Sequence, residues 1–363
     1  MTTVAHTTEP GSSEDRGRRR FLPSKGFIRF VARRAAAFVL LAIGITLVVF
    51  LLTQAVPANP AAAALGEQAA ADPEAVAAFE EHYGLDKPLP TRYVIYLWHL
   101  VQGDLGESAL THNSVRNDLS LLVPATAELA LYSIVIAVIV GVGFGVVAAV
   151  RRNHPIDHGL RILSLGGISM PTFWIALLAL YIFFYRLGWF PGGGRLGIGV
   201  EPPPHVTGLY TVDGLLAGQW STFRDALHHI ALPALVLAAF NVGLLTRYTR
   251  SAVLEVIGND YVRAARAKGL PEHVVVTRYV LRGALPAIVT VIGLLFANIL
   301  TGAVLVENIF SWPGIGQYAY QSAINLDVQA IAGVSLFVAV VYVTINFVVD
   351  ILYGVIDPRI RLT

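Results

Sequence analysis

The sequence predicts an all-α integral membrane protein that crosses the bilayer six times and keeps both termini in the cytoplasm. Three observations carry this reading. Apolar residues make up 55% of the 363-residue chain and charged residues only 14%, far from the average of soluble domains. Six runs contain no Asp, Glu, Lys or Arg: Ala35–Gln54, Leu129–Val150, Ile162–Tyr185, Ile230–Thr246, Gly283–Val306 and Val328–Val349. Each has the roughly 17–25 residues that a helix needs to cross the hydrocarbon. The 26 Lys and Arg residues are also unevenly shared. Twenty precede the first run or follow the second, the fourth or the last. Only Lys87, Arg92, Arg116, Arg186, Arg195 and Arg224 fall on the other side. Positive charge stays inside, so the basic side is cytoplasmic.

Residues 1–26 are polar and Arg-rich, which predicts a disordered cytoplasmic tail. Arg18-Arg19-Arg20-Phe21-Leu22 looks like an export signal, but the apolar run behind it is too long for one and five more follow. Residues 55–127 form a long, mostly acidic external insert. Asp72-Pro73 before Glu74–Tyr83 predicts a capped short helix closed at Gly84. Arg92–Val101, with Tyr96, Trp98 and Leu100, predicts an amphipathic helix lying on the membrane surface. A loop of this length inside a compact membrane protein points to an external partner.

The second external loop, Arg186–Leu227, holds Pro191-Gly192-Gly193-Gly194 and Pro202-Pro203-Pro204 and reads as irregular. In the third, Phe310-Ser311-Trp312-Pro313-Gly314-Ile315-Gly316 places an interfacial Trp beside a forced turn.

The cytoplasmic segment 247–282 is the most informative. Within it, Asn259 to Pro271 spells a short basic helix between two apolar runs. Asn259 or Asp260 can cap its start, while Gly269 supplies a left-handed ending and Pro271 blocks continuation. Helical spacing puts Tyr261, Ala264, Ala265 and Lys268 on one face. Two alanines there permit close approach by a soluble partner.

Much chemistry is excluded. The three lysines follow Ser24, Asp86 and Ala267, so no Gly-Lys pair and no Walker A phosphate loop exists. His-Glu-x-x-His and Gly-x-Ser-x-Gly are absent, which argues against a membrane-embedded enzyme. The absence of Cys rules out disulfides and thiolate metal sites. Ion-coupled carriers need ionisable groups at mid-membrane, whereas Glu128, Glu307 and Asp350 all sit at the ends of runs. Asn241, Asn298 and Asn346 are the polar groups within them. A transporter built this way must draw its energy from another chain.

The loop Arg263-Ala264-Ala265-x-x-x-Gly269 resembles the cytoplasmic EAA loop of permease subunits of bacterial ABC importers. Tyr261 to Leu270 is similar to its version in B-type permeases of dipeptide and oligopeptide systems. Gly84-Leu85-Asp86-Lys87-Pro88-Leu89-Pro90, Gly103-Asp104-Leu105-Gly106, Leu122-Val123-Pro124-Ala125-Thr126 and Pro171-Thr172-Phe173-Trp174 resemble that family too. So do Glu307 to Gly316 and Asp350 to Arg359, and the likeness covers residues 27–361. Arg263 stands where the acidic residue that names the loop is expected, a replacement the peptide subfamily shares. Pro286 lies one position nearer the loop than in such relatives.

The resemblance implies a type I ABC importer permease fold over 27–361, in a bacterial cytoplasmic (inner) membrane. The implied partners are a second homologous permease, two ABC ATPase subunits or domains that bind ATP and Mg2+, an external substrate-binding protein or lipoprotein, and membrane lipid. The chain itself is implied to be non-catalytic and without cofactor, metal or nucleic acid. Asp260, Tyr261, Arg263, Ala264, Ala265, Lys268 and Gly269 are the implied ATPase-docking residues. Asn241, Asn298, Trp312, Pro313 and Asn346 are candidates for the pathway or gate, and Gly103 and Asp104 for contact with the binding protein. The implied cargo is di- and oligopeptides, with nickel chelates, glutathione and oligosaccharides as alternatives; a stand-alone ion-coupled carrier is the distant rival.

Overall fold

The computed structural model describes residues 25–55, 72–74, 76–77 and 87–356. The expected tail lies almost wholly outside them. Of the helix expected after Asp72, only the start is described: Glu74 N–H donates to Asp72 Oδ1 at 3.0 Å. The side chains of Asn298 and Asp350 also lie outside the described part.

The described residues are almost entirely helical, with one isolated bridge between Glu107 and Ser114 and no strand. In chain order the helices are α1 (Lys25–Ala55), α2 (Leu89–Gln102), α3 (Val115–Val150), α4 (Pro155–Ser169) and α5 (Thr172–Ala179). Then follow α6 (Tyr210–Leu216), α7 (Trp220–Ile257), α8 (Asp260–Ala267), α9 (Glu272–Val274), α10 (Leu281–Ile309), α11 (Ile315–Ile324) and α12 (Val328–Ile356). Two π-helical segments, Leu180–Arg186 and Val275–Val280, extend α5 and join α9 to α10.

Among the described residues, four helical stretches are long and apolar enough to cross a membrane: Val115–Val150, Trp220–Ile257, Glu272–Gly293 and Val328–Val349. The run Ile162–Tyr185, expected as one straight span, is broken instead. Pro155–Ser169 and Thr172–Arg186 meet at 104° and together make a fifth candidate. The break has a local cause. Met170 precedes Pro171 and adopts φ −93°, ψ 132°, because the proline ring disfavours helical geometry in the residue before it. In α1 the apolar stretch Ala35–Leu51 is shorter.

The helices outrun the apolar stretches. α3 has 36 residues, or roughly 54 Å at 1.5 Å per residue, against a hydrocarbon core of about 30 Å. Its first turns, capped by the Ser114 hydroxyl on Asn117 N–H at 3.3 Å, therefore extend beyond the apolar layer. α7 runs along α3 and also packs on α10, α4 and α6, while α1 pairs with α12. Small residues let α3 and α7 close up. A Cβ on Gly145 would collide with the Thr249 side chain and the Thr246 carbonyl.

The interior has three apolar clusters. One, around Leu129, Ile230, Ile299 and Trp312, fills the half away from α8, between α3, α7 and α10. A second, around Leu245, Val253, Val262, Val275 and Val280, fills the half nearer α8. A third, around Val115, Ile315 and Tyr318, seats α11 on the start of α3.

Candidate functional site

α8 is the short basic helix the sequence anticipated, over Asp260–Ala267. Its N-cap is Asn259, at φ −71° and ψ 150°, but no side chain caps the first turn. The Asn259 carbonyl accepts from Val262 and Arg263 N–H at 3.0 and 3.2 Å, while Asp260 pairs with Arg263. The expected side-chain cap is thus replaced by an ion pair one turn in. The other end matches expectation. Gly269 takes φ +75°, Leu270 N–H reaches Ala265 O at 3.4 Å and Gly269 N–H reaches Arg266 O at 2.9 Å. This pair of bonds is a Schellman ending. A side chain at 269 would meet nothing within 4 Å, so the position demands the backbone angle and not the space.

The face presented outward differs from the expected one. Val262 and Ala265 are buried, at 0% and 3% exposure, in the cluster with Val275 and Val280. Tyr261, Arg263, Ala264 and Lys268 are exposed. Ala265 therefore anchors α8 to its own chain. The reason is hydrophobic: Val262 is the one large aliphatic side chain in the helix, and burying it turns Ala265 inward with it. Tyr261 leans back, its hydroxyl standing where a Cβ on Gly283 would be. Arg266 closes the loop onto Glu272 through Nη2–Oε1 at 2.7 Å and Nε–Oε2 at 3.2 Å, a two-pronged geometry. Close above, Arg250 grips the buried Asp157 through Nε–Oδ1 at 2.7 Å and Nη2–Oδ2 at 2.8 Å. That tie fixes α7 to α4.

The end of the bundle away from α8 is organised around buried carboxylates. Glu307, fully buried, accepts from Thr126 Oγ1 at 2.6 Å, Gly316 N–H at 2.7 Å and Gln317 N–H at 3.0 Å. Thr126 Oγ1 in turn accepts from Ile315 N–H at 2.9 Å. Together they satisfy the free amides at the start of α11. Glu128 meets Arg195 Nη2 at 2.6 Å and accepts from Thr211 N–H and Oγ1 at 2.8 and 2.7 Å. The Arg195 guanidinium lies 3.5 Å from the Tyr210 ring centroid, a cation–π contact. Asp327 takes Ser108 Oγ at 2.6 Å and Leu110 N–H at 3.1 Å. Asp118 takes Thr111 Oγ1 at 2.5 Å and the Tyr318 hydroxyl at 3.0 Å.

Asp213 binds the Thr207 hydroxyl at 2.7 Å and the amides of Val206, Thr207 and Gly208. Its burial raises the carboxyl pKa, yet those hydrogen bonds outweigh it and hold the group below the usual range.

The other expected residues fall in various places. Trp312 is 1% exposed and donates through Nε1 to Ala125 O at 2.9 Å, while Pro313 is exposed. Asn241 is buried and donates to Leu237 O at 3.0 Å; Asn346 donates to Tyr342 O at 3.0 Å. Gly103 closes α2 at φ +80°. Asp104 serves the same turn, accepting from Gly106 N–H at 2.9 Å and lying 3.1 Å from His99 Nδ1.

Sequence reasoning did not foresee α6, α11 or the carboxylate network. A signal existed: an acid at the edge of a charge-free run needs a partner once it is buried, and Glu128 and Glu307 are such acids.

Comparison with known proteins completes the picture. Residues 141–362 match the family "Binding-protein-dependent transport system inner membrane component", and residues 27–115 match its N-terminal component. The probable D,D-dipeptide transport system permease protein DdpB of Escherichia coli K12 is 40% identical, over 92% of this chain and 98% of its own. The di/tripeptide transport system permease protein DppB of Pseudomonas aeruginosa UCBPP-PA14 is 42% identical, over 92% and 99%. Among solved structures, the inward-facing MetNI methionine ABC transporter shares the fold, with a TM-score of 0.50 at 15% identity over 64% of this chain and 93% of that one. The chain belongs to the inner membrane component family of binding-protein-dependent transport systems.

Proposed function

We propose that this chain is the permease subunit of an ATP-driven importer and forms half of a translocation pathway for di- and oligopeptides. One observation carries the reading. α8 stands exposed on its basic face, is welded to the chain's interior by Val262 and Ala265, and is closed by the φ +75° of Gly269. Such a helix is a handle: a partner gripping Tyr261, Arg263, Ala264 and Lys268 moves α7 and α10 with it. The gripping partner is one of two ATPase subunits, which bind ATP and Mg2+ and leave this chain without catalytic duty. A second permease chain supplies the other half of the pathway, and an external binding protein delivers cargo to the layer built by 87–114, α6 and α11.

The topology that fits has six crossings, counting α1 and the bent α4–α5 pair as one each, with both termini in the cytoplasm of a bacterium. The peptide cargo rests on the relatives, whose names specify dipeptides and di/tripeptides.

The test is ATP hydrolysis by the complex reconstituted with the products of neighbouring transport genes. Stimulation by binding protein loaded from a pool of di- to hexapeptides is expected, and its loss on blocking α8 with Ala264→Trp. A complex that assembles but answers to nickel chelates, glutathione or oligosaccharides instead would keep the permease and replace the cargo. Transport by the purified chain in vesicles without any ATPase would overturn the reading.

A further inference from the structure

A lateral groove opens between the cytoplasmic end of α3 and the start of the helix that leads into α10. Val146, Val147 and Val150 of α3, Ile156 of α4 and Val276 line it, around a volume of about 460 Å³. That is roughly fifteen times the ~30 Å³ a water occupies in the liquid, so it is no packing defect. Its depth in the membrane is set by the sequence. Val146–Val150 is the last turn of the charge-free run Leu129–Val150, and Arg151 is the first charge after it. The apolar walls therefore face hydrocarbon and the mouth lies at headgroup level.

The charges at that level do not balance within the chain. Asp157 is buried and held on both oxygens by Arg250. Glu272, on the groove's rim, is held on both oxygens by Arg266. With both carboxylates engaged, Arg151, which borders the groove, and the adjacent Arg152 are exposed and make no ion pair among the described residues. His273 and Thr277 add hydrogen-bonding groups to the same rim. An apolar slot capped by uncompensated arginines matches one occupant: a lipid with acyl chains for the slot and an anionic phosphate for the arginines.

From this charge balance and shape we infer that the groove holds one anionic phospholipid of the cytoplasmic leaflet, its phosphate at Arg151 and a chain along Val147 and Val276. The inference stands apart from the transport reading. It needs only the groove and its rim.

Native mass spectrometry of the delipidated full-length chain tests it, titrated with dioleoyl phosphatidylglycerol and dioleoyl phosphatidylcholine. The expected result is one phosphatidylglycerol retained over phosphatidylcholine by roughly twenty-fivefold, about fivefold for each of two arginines. Arg151→Ser should cut retention about fivefold and Arg151→Lys should keep it. Val147→Trp should abolish the preference by filling the slot with every charge in place. If Arg151→Ser fails to fold, the other two variants still decide. Equal retention of the two lipids, or an unchanged preference in Val147→Trp, overturns the proposal. So does glycerol phosphate binding as tightly as the lipid, since that would mean a plain anion site.

Discussion

Arg195 and Glu128 meet at 2.6 Å at the end of the bundle away from α8, with 7% and 2% of their side chains exposed. They join the glycine-rich loop after α5 to α3; Thr211 and the Gly208 carbonyl add hydrogen bonds and the Tyr210 ring a cation–π contact, while the buried Arg195 Nε makes no hydrogen bond among the described residues. Removing one partner of such a pair strands the other's charge, at a cost of about 3–5 kcal/mol. Arg195→Met or Glu128→Gln should each lower the thermal transition of the purified chain markedly. The double variant should lose less than the two losses combined. Additive losses, followed by fluorescence melting, would argue that the two side chains act independently.

Thr126 serves Glu307 and the amide of Ile315 together. In Thr126→Val a buried carboxylate oxygen and a backbone N–H lose their partner, costing roughly 1–3 kcal/mol. Hydrogen exchange should quicken at residues 315–318 and stay unchanged in α8. A uniform rise across the chain would mean that α11 is not a separate unit.

Gly269 is required for its angle alone, because a side chain there meets open space. Gly269→Asn, tolerant of left-handed geometry, should therefore keep most ATP-driven transport. Gly269→Val should abolish it while the chain still inserts at normal levels. Equal activity of the two in the reconstituted complex would remove the Schellman ending from the coupling argument.

Asp213 gives the 206–213 segment a pH dependence. A carboxyl whose folded pKa lies below its unfolded value near 3.9 stabilises the fold above that pH, and the contribution drains as pH falls through the lower value. Protection of the 206–208 amides should fall on acidification below about pH 4. In Asp213→Asn that step should vanish. A step of the same size in both proteins would place the titration elsewhere.

The Arg266–Glu272 bridge is well formed but its side chains are 39% and 52% exposed. Exposed pairs contribute at most about 1 kcal/mol. Glu272→Gln should barely move the melting transition, and a loss as large as that of Arg195→Met would contradict this solvent-screened picture.

Periodicity, charge placement and punctuation made the long helices legible. Gly269 and Pro271 announced the end of α8, and charge-free runs located the cores of α3, α7, α10 and α12. What stayed hidden depends on pairing across distance. Nothing near Glu307 in sequence points to Thr126; the inward turn of Ala265 was written in Val262 three residues earlier, on the same helix face, but went unread. The bend at Met170 was written in Pro171, but a run of apolar residues on both sides masked it. α11 was concealed by its shortness, since its start is fixed by a carboxylate from the preceding helix and not by its own cap.

The bonds of the carboxylate network join segments made far apart in time. Ser108 meets Asp327 across 219 residues, and Thr126 meets Glu307 across 181. At about 5–20 residues per second of synthesis, Ser108 waits roughly ten to forty seconds for its partner to be translated. Until Glu307 and Asp327 are made, Glu128 can pair with Arg195, but the hydroxyls of Ser108 and Thr126 and the Leu110 amide lack the carboxylates they bind in the finished fold. The newborn chain thus carries an internal completion signal. A product truncated before Glu307 leaves those polar groups without their partners.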